Sequence, residues 1–159
     1  RNSSTCPILK DPWAPIEVRL SVPDLDTIFI ENQSEIANFT PFETDNLVII
    51  ISESPSSINM EVDCEYIRIE NLTGTGDIKI LGETQIADCY HAAYGTVDLR
   101  YLKCSEAIIN SVSSNHCYVR AGEEYLFAVL GGKGNIYYQH DPARLDLKQE
   151  GSGKLIKIY

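Results

Sequence analysis

A turn residue followed by a short alternating strand returns through the second half of the chain at a nearly fixed interval. It is seen at residues 74–80, 94–99, 114–119, 133–138 and 152–157. With Gly76, Gly95, Asn115, Gly134 and Gly153 as markers, the steps are 19, 20, 19 and 19 residues. A constant period near twenty residues signals a stacked repeat, in which each unit buries its apolar face on its neighbours. Two positions after each marker stand Ile78, Val97, Cys117, Ile136 and Leu155. Four positions after stand Ile80, Leu99, Val119, Tyr138 and Lys157, and the residues between are mostly polar. Period-two alternation of this kind belongs to a strand with one buried face. The marker glycines suit a turn with positive φ before each strand. Stacked rungs of this pattern make a parallel β-solenoid with a continuous apolar column inside.

The same phrase, less regular, extends upstream. Residues 32–39 read as a rung with its marker near Ser34, and residues 54–60 as another with its marker near Ser57. Ile16, Val18, Leu20 and Val22 alternate and predict an earlier strand, followed by another at residues 28–30. The unbroken apolar run 47–51 fits a strand covered on both sides or lying beside a cap. Further apolar stretches at 67–69, 107–109, 125–130 and 145–147 give each coil at least two strands. About seven coils of 19–23 residues are expected, with no helix. Residues 1–15 hold three prolines and the sole tryptophan, Trp13, and read as an N-terminal extension that caps the first coil. Residues 16–159 then form a single solenoid domain, whose two end coils are open sheet edges suited to self-association.

Composition narrows the function. The net charge of −10 repels phosphate backbones, which sets nucleic acid aside, and no apolar run reaches the length of a membrane span. Residues 1–6 are polar and show no leader, as expected of a processed or trimmed precursor. The five cysteines, Cys6, Cys64, Cys89, Cys104 and Cys117, contain no C-x-x-C pair. Counted from the next marker, no two fall in one column, and Cys117 takes a core position as a small hydrophobe. His91, His116 and His140 are spread around the coil, as solvated surface residues rather than metal ligands. Neither a metal site nor a cofactor is expected.

Two groups of side chains suggest chemistry. Asp77 and Asp98 lie on neighbouring rungs and face outward, where a carboxylate pair could serve acid–base catalysis. Tyr118 and Tyr137 both stand three positions after their markers on consecutive rungs, with His116 and Asn135 two positions before them. Such a tyrosine ladder can pack on a sugar or a protein partner, or simply support itself across the sheet.

The C-terminal part carries a family resemblance. Its features are the Gly131, Gly132 and Gly134 turn, the aromatic strand with Tyr137 and Tyr138, Pro142, and the closing Gly151, Ser152 and Gly153. With the strand entering the repeats at residues 18–25, this resembles the auto-transporter adhesin "head GIN domain" family over roughly residues 16–159. The paired glycines of that pattern are missing at residues 113–115, and one is replaced at Tyr94. The resemblance implies a right-handed parallel β-helix from secreted or lipid-anchored proteins of Bacteroidetes-type bacteria. It implies no catalytic residues. The resulting expectation is a non-enzymatic, exported bacterial module, periplasmic, attached to the outer membrane or extracellular, that binds carbohydrate or a surface protein. The alternatives are a pectinase-like β-helix enzyme and a purely structural stacking module.

Overall fold

The computed structural model describes residues 16–22, 25–53 and 55–159. Every described element is a β-strand, and every described pairing is parallel. At one end lies β1 (Thr27–Ile30); β2 (Glu35–Ala37) and β3 (Phe42–Ile51) share the next turn. One continuous strand makes each of the three central turns: β4 (Ser57–Asn71), β5 (Asp77–His91) and β6 (Val97–Ser111). Then β7 (Cys117–Arg120) with β8 (Tyr125–Leu130), and β9 (Ile136–Gln139) with β10 (Arg144–Gln149), make two more, and β11 (Leu155–Lys157) lies at the other end. The chain is therefore a parallel β-solenoid of about six turns with a partial rung at each end. The expected seven counted the closing partial rung after Gly153 as a full coil.

The central column forms as the period requires. Ile36, Ile58, Ile78, Val97, Cys117, Ile136 and Leu155 stand in register on successive rungs. From Ile58 to Ile136 they are all buried. A second column, Leu47, Ile67, Ala87, Ala107 and Leu126, closes the core from the other side of the coil, and its members are buried too. In β4 the buried positions run Ile58, Met60, Val62, Cys64 and then Ile67, Ile69, Asn71. The change of phase at Glu65 and Tyr66 is the chain turning a corner around the core, since two successive residues must then face out. Pairing to the neighbouring rungs continues past the corner, so one long strand stands where two were expected.

Four expectations are corrected. Residues 16–22 carry no strand, and Ile16, Val18 and Leu20 are 90%, 71% and 82% exposed. Alternation makes a strand only where an edge takes up its backbone groups, and the pairing described at this end is that of β1 with β3. The upstream marker is Ser56, not Ser57, because Glu35 pairs with Ser57 and Ile58 is the residue that faces in. Cys64 and Cys104 do share a column, with Thr84 between them. An extra residue in the turn at 72–76 hides this when positions are counted from the next marker. Finally, Gly95 and Gly134 have no positive φ. They are glycine because a Cβ there would lie 1.8 Å from the carbonyl oxygen of Gly76 or of Asn115 on the rung below. Trp13 and Cys6, with the rest of the proposed cap, fall outside the described residues.

Polar residues also enter the core. Asn71, His91 and Ser111 form a fully buried column beside the turns, so His91 is not the surface residue expected. Its Nδ1 lies 3.5 Å from Asn71 Nδ2, and burial lowers its pKa from 6.5 to about 4. At the far end Leu145 and Leu147 stack on Leu126 and Ala128 yet are 39% and 45% exposed.

Candidate functional site

The outward column three positions after the markers runs Ala37, Asn59, Lys79, Asp98, Tyr118, Tyr137 and Ile156. Rung spacing near 4.8 Å brings equal side chains into contact. Tyr118 and Tyr137 stack with ring centroids 5.0 Å apart and planes 13° from parallel. His116 stands edge-on to both, 6.4 Å from Tyr118 and 5.3 Å from Tyr137. Asn135 donates from Nδ2 to the Tyr137 hydroxyl at 3.1 Å. The four residues picked out in the sequence are therefore gathered into one half-buried wall.

Two of the four also tie rungs together. The backbone N–H of Asn135 donates to His116 Nδ1 at 3.2 Å, and that of Lys154 donates to Asn135 Oδ1 at 2.9 Å. The Thr96 N–H donates likewise to Asp77 Oδ1 at 2.7 Å. The position after the marker is thus an acceptor for the next rung's first amide. This fixes the His116 tautomer, leaving its proton on Nε2.

Sequence reasoning missed Arg100 as part of the wall. Between Lys79, which pairs with Asp98, and Leu81, which pairs with Tyr101, β6 gains one residue. That insertion produces the 20-residue step from Gly95 to Asn115, flanked by steps of 19, which was the available signal. The Arg100 guanidinium lies over the Tyr118 ring, 5.1 Å from its centroid. It also grips Asp98 through Nε at 2.9 Å and Nη2 at 2.6 Å. Burial acts to raise the Asp98 pKa, but hydrogen bonds from the Arg100 side chain and backbone outweigh it and hold the carboxyl below the usual range. Arg100 thus covers one face of Tyr118 and Tyr137 the other, while Ile156 is the next residue in the column beyond Tyr137. The wall presents ring edges, hydroxyls and a paired guanidinium, and both faces of Tyr118 are covered.

The carboxylates considered for acid–base work are engaged elsewhere: Asp77 holds the Thr96 amide and Asp98 holds Arg100. The described cysteines, Cys64, Cys89, Cys104 and Cys117, are free and buried. Burial raises the Cys64 pKa and pushes that of Cys104 up to about 11, which keeps both as poorly nucleophilic thiols. Among the described residues no cluster of three or more His, Cys, Asp or Glu side chains could hold a metal ion. No helix there is long and apolar enough to cross a membrane.

With this geometry in hand, comparison with known proteins gives one family. The model of the family described as "putative auto-transporter adhesin, head GIN domain" matches residues 3–142. The chain belongs to the head GIN domain family. A solved structure of the same fold is that of a putative adhesin from Bacteroides fragilis NCTC 9343, with a TM-score of 0.73 and 22% sequence identity. The similarity covers 86% of this chain and 62% of that one, so this GIN domain spans less than two thirds of the bacterial adhesin it resembles. Comparison with curated proteins gives no match.

Proposed function

We propose that this GIN domain is a non-enzymatic, adhesin-like binding module, exported to the bacterial surface or beyond, whose aromatic wall docks on a protein partner. The observation that carries the reading is the closed Arg100, Tyr118 and Tyr137 stack. A sugar ring binds an aromatic side chain through the open ring face, and here both faces of Tyr118 are occupied. Ring edges, tyrosyl hydroxyls and an arginine are the groups that protein interfaces concentrate at their energetic centres. The rungs on either side hold the wall rigid, so little side-chain entropy is lost on contact. The family membership supports an adhesive role, and the net charge of −10 works against anionic polysaccharides as well as nucleic acids.

The test immobilises wild type and the Tyr118→Ala/Tyr137→Ala variant against a panel of extracellular proteins and a glycan array. Both variants are first checked for unchanged circular dichroism. A protein ligand that binds wild type and binds the double variant about 30-fold or more weakly is expected, as for the loss of two interface tyrosines. A protein ligand held equally well by both would overturn the assignment of the wall. A glycan bound by wild type and lost in the double variant would replace the protein partner with a carbohydrate.

A further inference from the structure

A second outward surface lies on another stretch of the coil, and its pattern is self-complementary. Its middle column runs Thr27, Val48, Arg68, Asp88, Ile108 and Phe127 on successive rungs. Beside it runs Phe29, Ile50, Glu70, Tyr90, Asn110 and Val129, and on the other side Asn46, Tyr66, Ile86, Glu106 and Tyr125. Outward positions of a solvated sheet are normally polar, yet the rungs flanking β4 and β5 on either side are largely apolar, and the face turns charged again only at β10, with Arg144, Asp146 and Lys148. Phe29 is 56% exposed, and Val48, Ile50, Ile108, Phe127 and Val129 are half-buried. Between the two apolar stretches, on β4 and β5, lies a charged belt. Arg68 donates to Asp88 Oδ2 at 2.7 Å and to Glu70 Oε1 at 2.7 Å, and the Tyr66 hydroxyl donates to the same Asp88 oxygen at 3.1 Å.

From this pattern we infer that the face is the contact surface of a two-fold dimer, occupied by a second copy of the same chain in antiparallel orientation. The dyad runs along the strand direction, midway between β4 and β5. That operation sets each residue opposite the residue of the same column on the mirrored rung. Arg68 meets the other copy's Asp88, Glu70 meets Tyr90, Val48 meets Ile108, Phe29 meets Val129, and Tyr66 meets Ile86. No like charges are opposed, and the mismatched pairs are Asn110 against Ile50 and Thr27 against Phe127. A dyad along the solenoid axis would instead set Arg68 against its own copy, so charge selects the first arrangement. Six rungs about 4.8 Å apart, each contributing about five residues at about 3.3 Å, give a footprint of about 29 by 17 Å, at the small end of specific interfaces. The closed two-fold stops at two copies, unlike association through the end coils, which would continue into larger stacks.

Sedimentation velocity and light scattering on the full chain test this. Across about 1 to 300 µM, the range in which an interface of this size equilibrates, wild type is expected to pass from monomer to dimer and no further. Ile108→Asp/Phe127→Asp places charge on an outward apolar patch without touching the core, and should weaken dimerisation tenfold or more with unchanged circular dichroism. Arg68→Asp should do the same by opposing two carboxylates, and Arg68→Asp/Asp88→Arg should restore the dimer. A wild type that stays monomeric over that range would overturn the inference. So would growth beyond a dimer, or a dimer indifferent to Ile108→Asp/Phe127→Asp.

Discussion

Gly134→Ala is expected to lower the stability of the folded chain by about 3 kcal/mol or more, a severe effect for the addition of one methyl group. The reason is contact between stacked backbones. A Cβ at Gly134 would sit 1.8 Å from the Asn115 carbonyl oxygen and 2.6 Å from its carbon. Backbone cannot swing aside as a side chain can, so the rung itself must lift and the hydrogen bond from the Gly134 amide to the Ser113 carbonyl, 3.0 Å long, must stretch. Gly95→Ala should behave alike, with its Cβ 1.8 Å from the Gly76 oxygen. Asn115 is the control. It stands in the same column, already carries a Cβ, donates from Nδ2 to the Tyr94 carbonyl and accepts at Oδ1 from the His116 amide at 3.0 Å. Asn115→Ala should therefore cost only about 2 kcal/mol, the worth of its two part-exposed hydrogen bonds and less than the glycine variants. Urea unfolding of the three variants measures the difference. Equal losses at Gly134 and Asn115 would mean that the glycines serve turn conformation rather than close stacking.

Acidification should weaken the fold well above the carboxylate range. His91 is fully buried, and burial lowers its pKa from 6.5 to about 4. Its column neighbours, Asn71 and Ser111, are uncharged and supply no counter-ion. The folded-state pKa is depressed, so between pH 6.5 and about 4 the unfolded chain binds the proton that the native chain refuses. Stability is thus full above pH 6.5 and falls as pH drops, with a total of about 3 kcal/mol lost once pH has passed through the folded value. His91→Asn keeps a hydrogen-bonding group in the column and removes the titration. Denaturant melts at pH 7, 5.5 and 4.5 should show a falling series for wild type and, from this source, none for His91→Asn. Parallel curves for the two proteins would contradict the assignment. The Asp98 and Asp146 carboxyls, whose pKa values are lowered, act only at more acidic pH.

Much of the fold was legible because a solenoid writes its geometry into the sequence as period. Ile78, Val97, Cys117 and Ile136 are spaced by the circumference of the coil, and each has a polar neighbour that must face out. What period could not supply was whatever breaks it. Arg100 is an insertion, and counting from markers treats it as slack rather than as a side chain placed over Tyr118. The extra residue at 72–76 hid the column shared by Cys64, Thr84 and Cys104. His91 occupies an inward position by alternation from Cys89, but its polarity argued for solvent; inside, its Nδ1 reaches Asn71 at 3.5 Å while its Nε2 has no hydrogen-bond partner. Ile16, Val18 and Leu20 alternate as well as any strand, yet a strand needs a partner edge, which no single segment encodes. The wall was half visible. Equal offsets put Tyr118 over Tyr137, whereas the cover on the second face of Tyr118 comes from an arginine on a rung of different length.

Methyl–methyl nuclear Overhauser contacts in a chain labelled at Ile, Leu and Val measure the stacking of equivalent positions directly. Successive members of the column, Ile36 to Ile58, Ile58 to Ile78, Ile78 to Val97, and Ile136 to Leu155, should give strong cross-peaks, because neighbouring rungs lie about 4.8 Å apart. Ile58 to Val97, two rungs apart at about 9.6 Å, should give a far weaker one. If Ile58, Ile78 and Val97 show no mutual contacts, or if contacts link residues a few positions apart as in a helix, the solenoid and the wall built on it are wrong.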